Sequence, residues 1–323
     1  MGCQEEETTV VEKVCELYDH ISRLESLKPS KAVNALFTQL VLTCIPPYPL
    51  DVRHLPKPLQ DIRAHLIRLC AHAEALLETH FSTLLASYPD PLHHLNLFPY
   101  YSNYLKLSRL EHSILSQHSS HPPSRLAFVG SGPLPLTSIA LASFHLPSTA
   151  FHNYDLDPSA NATALRLVAA HPDLSNRFFF HTADIMDVTS GLREYDVVFL
   201  AALVGMDAEE KSRVVGHLAK YMAPGALLML RSAHGARAFL YPVVEPAHLQ
   251  GFEVLSEFHP TDEVINSVIV ARRCPPPMHV HGVEQQGLGP IILPSKCSEI
   301  PAFNPLINHG TMIEELALEE QSS

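Results

Sequence analysis

Two carboxylates one helical turn apart carry the first chemical signal in this 323-residue chain. Glu74 and Glu78 lie in a run whose apolar members Cys70, Leu77, Phe81 and Leu85 recur at helical spacing, with Glu74 inside the stripe. A carboxylate on such a stripe is costly to bury unless it is paired. Burial would also raise its pKa toward that of a working general base. The plainer reading puts both acids on the solvent face of a long amphipathic helix, and the residues alone favour it. Tyr100, Tyr101 and Tyr104 follow downstream. They read first as aromatic packing and second as phenols able to hold an amine in place.

A second set of residues points to a bound nucleoside. The apolar run Leu126 to Val129 enters Gly130-Ser131-Gly132-Pro133, and a helix-like segment follows. Strand, tight glycine turn and helix start are the opening of a nucleotide-binding α/β unit. The dinucleotide fingerprint requires a third glycine at position 135, where this chain has Pro135. A nucleoside without phosphates therefore fits better than a pyrophosphate. Asp155 ends the next strand-like run, about 25 residues beyond Gly130, close to the spacing of a ribose-binding carboxylate. Asp157, just before Pro158-Ser159, reads preferentially as a helix N-cap. Asp184, after a third strand, reads equally as an acid meeting an adenine amino group and as a cap. The small residues of Ala201-Ala-Leu203-Val-Gly205 would let the backbone line a ligand. Arg231, after a fifth strand, suits an α-carboxylate, with a surface ion pair as the alternative.

The elements that must position these residues fall into three zones. Residues 1–120 read as helical, with Val10, Val14, Leu17 and Ile21 at helical spacing and a long helix expected over about 59–87. Residues 121–273 alternate strand and helix. Strands are expected at 126–130, 150–155, 177–182, 195–201, 226–232, 252–258 and 264–271, and helices at 134–144, 159–170 and 207–222. This alternation predicts a mostly parallel α/β sheet covered on both faces. Only five residues separate the last two strands, too few for a crossover helix, so they are expected to pair antiparallel. Residues 274–323 are rich in Pro and Gly without a sustained period and read as a largely disordered tail.

Composition limits the function classes. The chain is 46% hydrophobic and 17% charged, with a formal net charge of −12. No basic cluster extends beyond Arg272-Arg273, which argues against nucleic acid and anionic membranes as partners. No apolar run approaches about 20 residues, so no transmembrane segment is expected. Six scattered cysteines without a C-x-x-C pair argue for reduced thiols in a cytoplasmic setting and against structural zinc. The 21 histidines do not cluster at ligand spacing, so no metal site is expected. Tyr104-Leu-Lys-Leu107 also matches a short sorting pattern, which raises vesicle association as a minor reading. A homo-oligomer is left open.

Seven strands with a terminal antiparallel hairpin resemble the Rossmann-like class I sheet of S-adenosylmethionine (SAM) dependent transferases. The helical zone narrows the resemblance. Ser26-Leu-Lys-Pro-Ser30, Leu40-Val-Leu-Thr-Cys44, Ala73-Glu-Ala-Leu-Leu-Glu78-Thr-His-Phe81 and Phe98-Pro-Tyr-Tyr-Ser-Asn-Tyr104 resemble plant nicotianamine synthases. So do Phe128-Val-Gly-Ser-Gly-Pro-Leu-Pro135, Phe199-Leu-Ala-Ala-Leu-Val-Gly-Met206 and Met229-Leu-Arg-Ser-Ala-His234. The resemblance spans roughly residues 10 to 273.

The resemblance implies an enzyme that condenses three SAM molecules into nicotianamine and releases three 5'-methylthioadenosines. The transferred group is the 3-amino-3-carboxypropyl arm, and the last step closes an azetidine ring. Iron, zinc and copper belong to the chelating product and not to the enzyme. It implies a helical domain, 1–120, capping a SAM-binding domain, 121–273. It turns the reading of the carboxylates around: Glu78 becomes the base or amine anchor, Glu74 its backup, and Tyr104 and Tyr101 the holders of the nucleophilic amine. SAM itself would lie on Gly130, Ser131, Gly132, Pro133, Asp155, Asp184, Ala201, Leu203 and Arg231. Two other readings stay open, an ordinary methyltransferase on the same fold and a non-catalytic SAM-binding module.

Overall fold

A computed structural model describes residues 2–48 and 50–275, with side chains from Thr8 onward. The expectations made for the tail fall outside the described residues from position 276 on. Four long helices come first: α1 (Gly2–Ile21), α2 (Lys31–Cys44), α3 (Lys57–Leu85) and α4 (Tyr101–His118). Their limits follow local chemistry. The Ser30 side chain caps α2 by accepting from the Val33 amide. Pro58 sits in the first turn of α3, where a missing N–H costs nothing. Pro89 lies beyond the end of α3, where a proline cannot continue a helix.

The remainder winds a seven-stranded sheet. Its elements are β1 (Arg125–Val129), α5 (Leu136–Phe144), β2 (Ala150–Asp155), α6 (Pro158–Ala169), α7 (Pro172–Arg177), β3 (Phe178–Thr182), β4 (Val197–Leu200), α8 (Ala208–Tyr221), β5 (Leu227–Ser232), β6 (Phe252–Phe258) and β7 (Ser267–Arg273). The strand order is β3-β2-β1-β4-β5-β7-β6. β1 to β5 are parallel neighbours, whereas β7 runs antiparallel between β5 and β6. β4 is buried along its whole length, as expected of a central strand covered on both faces. β3 and β6, at the two edges, are largely open to solvent or half-buried.

The chain leaves β1 toward β2 on one side and later places β4 on the other. That reversal opens a crevice at the carboxyl ends of β1 and β4, the usual ligand position in such sheets. The short helix α7 and the single-turn helices were not foreseen. The last strand also begins at Ser267 and not at residue 264. Val264 and Ile265 are apolar because they are buried in two core clusters, not because they pair in the sheet.

The described residues belong to one compact unit. Apolar residues of α3 and α4 share a core with β1, β4 and β5, including Leu85, Leu107, Ile114, Phe128 and Phe199. A separate cluster joins α1, α2 and α3 to Ala233, Ala236, Phe239 and Leu240, just after β5. Packing on both sides thus lays the helical layer across the carboxyl end of the sheet.

Candidate active site

A cavity of about 630 Å³ occupies the crevice. α3 forms one wall through Ala71, Glu74, Ala75 and Glu78, and much of the rest comes from the carboxyl ends of β1 to β5 and the loops after them, with parts of α4, α5 and α8. Gly130 and Gly132 both have positive φ, +79° and +64°. A Cβ on Gly130 would collide with Val204, and one on Gly132 would lie 2.7 Å from Glu78 Oε2. The second glycine therefore exists to let the Glu78 carboxylate of the helical layer touch the nucleoside loop.

The amides of that loop are already engaged. Gly130 and Ser131 donate to the Tyr154 carbonyl, at 2.9 and 3.2 Å. Gly132 donates to Asp155 Oδ2 at 2.8 Å. No fan of free amides remains to cradle a phosphate, which agrees with Pro135 in place of a third glycine. Asp155 Oδ1 accepts from the Asp157 amide at 3.0 Å. Each carboxylate oxygen can accept twice, so Asp155 keeps capacity for two ribose hydroxyls. Ser131, Ala201 and Leu203 line the cavity, but Pro133 is buried behind the loop and does not. Asp184 is a cap that also borders the cavity. Its Oδ1 caps a short helical turn by accepting from the Met186 amide at 2.9 Å. Asp157 caps α6 through Ser159, as read.

Glu74 and Glu78 face inward, against the plainer sequence reading. Tyr104 Oη lies 3.3 Å from Glu74 Oε1 and 3.2 Å from Glu78 Oε1, and Tyr241 donates to Glu74 Oε2 at 3.0 Å. A phenol has one hydrogen, so the two carboxylates compete for it. The two acids consequently titrate as a pair. Burial raises the pKa of Glu74. Burial and then the neighbouring Glu74 charge raise that of Glu78 further. Burial and the two carboxylates push the Tyr104 hydroxyl up as well, so it stays neutral.

Arg231 is corrected from either simple reading. It is no surface ion pair, because Glu111 holds it in the interior, with Nε at 2.7 Å and Nη2 at 3.1 Å from the two carboxylate oxygens. Nη2 also donates to Thr137 at 2.6 Å. Burial opposes its charge, and Glu111, helped by Tyr104 and Tyr241, more than offsets that. The guanidinium lies 5.9 Å from the Tyr104 ring centre and 5.6 Å from that of Phe128. Only the N–H groups of Nη1 remain for a ligand in the cavity that Arg231 lines.

Tyr101 is also corrected. It lines a separate cavity with Leu136, Ile139 and Phe144 and does not join Tyr104 at the carboxylates. A helix turns about 100° per residue. Tyr100 and Tyr101 therefore diverge to either side of Tyr104, and Tyr100 faces inward instead.

That inward face borders a second cavity of about 120 Å³, enclosed largely by α2, α3 and the start of α4. Glu74, Tyr104, Tyr241 and Asn266 line both cavities and make up the shared wall, or throat, between them. Several of these residues were missed by sequence reading. Glu111 and Lys211 could have been found as charges on otherwise apolar stripes of α4 and α8. Lys211 is 2% exposed and donates to the carbonyls of Ala202, at 2.9 Å, and Val204. Tyr241 and Asn266 carry no local signal. Among the described residues, no cluster of His, Cys, Asp and Glu could hold a metal ion, and no helix is long and apolar enough to cross a membrane.

The sheet order, the crevice at its switch point and the satisfied glycine loop define the Rossmann-like fold of the SAM-dependent transferases. A family model described as nicotianamine synthase protein matches residues 3–277, and the chain belongs to that family. A nicotianamine synthase of Solanum lycopersicum is 64% identical over 96% of this chain and 98% of its own length. Nicotianamine synthase 3 of Arabidopsis thaliana is 58% identical over the full length of both. Among solved structures, a variant of MtNAS in complex with S-adenosylmethionine shares the fold, with a TM-score of 0.69 at 21% identity over 82% of this chain and 98% of that one.

Proposed function

We propose that this chain makes nicotianamine by joining the 3-amino-3-carboxypropyl arms of three SAM molecules, releasing three methylthioadenosines. The observation that carries the reading is the contact between the two halves of the site. The Glu78 carboxylate sits against Gly132 of the nucleoside loop, where a donor's sulfonium arm would emerge. In this reading the larger cavity holds the donor. Asp155 takes its ribose, Asp184 and the backbone at Ala201–Leu203 border its base, and the Nη1 edge of Arg231 faces its arm. The acceptor reaches in from the second cavity through the throat.

A protonated amine cannot attack carbon. The raised pKa of the Glu74–Glu78 pair narrows the gap to the amine it must deprotonate. Glu78, whose pKa is raised further and which lies nearer the loop, acts as base. Glu74, Tyr104 and Tyr241 hold the amine as its lone pair is freed. The amine then displaces methylthioadenosine from the arm's Cγ, and the C–S bonding electrons stay on sulfur. The helical zone, 1–120, serves as a cap over the sheet zone, 121–273, and keeps water from the sulfonium. Cys15, Cys44, Cys70 and Cys274 are free thiols, which supports a reducing compartment such as the cytoplasm. The acidic net charge of −12 supports a small-molecule enzyme over a nucleic-acid binder.

Incubating the purified protein with SAM alone and weighing the products by mass spectrometry tests the reading. Nicotianamine with methylthioadenosine is expected. Adenosylhomocysteine would identify a methyltransferase instead, and SAM binding without either product would identify a binding module.

A further inference from the structure

Asn266 stands apart from the other three side chains at the throat. Glu74, Tyr104 and Tyr241 are tied to one another by hydrogen bonds. Asn266 is only 7% exposed, borders both cavities, and its Nδ2 has no hydrogen-bond partner. A buried donor left unmade costs about 1–3 kcal/mol. That cost is relieved when a ligand supplies the acceptor.

The fold explains why the amide is there. β7 runs antiparallel beside β5, with Ser267 paired to Ser232. The residue before β7 therefore lies beyond the carboxyl end of β5, at the throat. Glu74 and Glu78 give the wall negative charge, which suits an amine and repels a carboxylate. Every nucleophilic α-amine in this chemistry has a carboxylate on the adjoining carbon, and that carboxylate needs a donor. Arg231, with most of its guanidinium committed to Glu111 and Thr137, lies on the donor side.

We propose that Asn266 anchors the α-carboxylate of the amine acceptor at the throat, so that the neighbouring amine meets Glu74 and Glu78. This rests on the reading of the second cavity as the acceptor's side. The donor nucleoside does not depend on it.

Three variants and one filling substitution test the assignment. Asn266→Ala removes the donor, Asn266→Asp keeps the shape but presents a negative charge, and Asn266→Ser retains a shorter donor. The readouts are kcat/KM for SAM and the affinity for methylthioadenosine, which has no carboxylate. Asn266→Ala is expected to lose about 10- to 100-fold in kcat/KM, the scale of one hydrogen bond to a charged group. Asn266→Asp should lose more than Asn266→Ala, and Asn266→Ser less, with methylthioadenosine affinity held within about twofold of wild type in all three, since that ligand offers Asn266 no carboxylate. Equal turnover by Asn266→Asp and wild type would overturn the proposal. So would a parallel loss of methylthioadenosine affinity, the mark of a purely structural amide. Val41→Phe fills the second cavity from its far wall and separates the two readings. Normal turnover by that variant sinks the acceptor cavity itself. Lost turnover there, with unaffected Asn266 variants, sinks the role of Asn266 alone.

Discussion

At the scale of single residues, the proposed mechanism has Glu78 trade stability for chemistry. Its pKa is raised by burial and by Glu74, so the folded state holds the proton more tightly than the unfolded chain does. The penalty is absent below the unfolded value. It grows as pH rises above that value and is complete above the folded pKa. Glu78→Gln should therefore lose about 10²- to 10⁴-fold in kcat, the usual worth of a general base, while its melting temperature rises. The gain should show at pH 8 and vanish near pH 4 in paired thermal melts. Glu111 tunes the same pair from a distance by neutralising Arg231, whose charge lowers the pKa of both Glu74 and Glu78. The groups around the pair are Cys70 on α3, Tyr104 on α4, Asp155 on β2, Arg231 on β5 and Tyr241 beyond it. Only Arg231 among them is positive. Glu111→Gln leaves that charge uncompensated, so the acid limb of the kcat profile should move to lower pH. A limb that stays in place or moves upward would refute this role.

At the scale of elements, two joints hold the site together. The first is Gly132 against α3. Gly132→Ala forces a β-carbon into the Glu78 carboxylate and demands a positive φ that an alanine adopts poorly. It should abolish turnover more completely than it weakens folding, which activity assays beside a melting curve would reveal. The second joint is Lys211, reaching from α8 to the carbonyls at the carboxyl end of β4. Its ammonium holds the loop over Ala201–Gly205 much as a bound cation would. Burial lowers its pKa to about 7, and the carbonyls it serves favour keeping the proton. Lys211→Met takes this donor from the buried Ala202 carbonyl and the partly buried Val204 carbonyl. It should destabilise the protein by about 2–5 kcal/mol, read from denaturant melts. Its KM for SAM should rise more than its kcat falls, because the loop borders the donor and not the base.

At the scale of the whole molecule, the sheet was largely readable from the chain because each parallel strand is a short apolar run between helical patterns. The five-residue link before the last strand also announced the antiparallel end. The direction of Glu74 and Glu78 was not readable from the stripe. A stripe with carboxylates in it fits a wet face and a cavity wall equally, and only the resemblance of the surrounding strings turned the reading inward. Tyr101 was misplaced because neighbouring tyrosines at a helix start diverge by a third of a turn. Asn266 and Tyr241 reach the throat through strand order and a short turn after β5, and no local pattern encodes either. Because α3 belongs to both the cavity wall and the helical core, ligand binding should be felt across the molecule. Methylthioadenosine at 100 times its Kd should add about 2.7 kcal/mol of stability. Hydrogen exchange should slow together in α3 and in the loop after β4. Protection confined to the sheet would show that the helical layer is not coupled to the donor.

The lone phenolic hydrogen between Glu74 and Glu78 sets a rhythm for the enzyme. Each C–N bond made turns an amine hydrogen into a surplus proton, and one product requires three such bonds. The two carboxylates share that one hydrogen, so a proton taken up by either changes the hydrogen bond of the other. Three surplus protons exceed the two carboxylates that face the amine, so in the proposed mechanism the pair must return protons to solvent before each nicotianamine is complete.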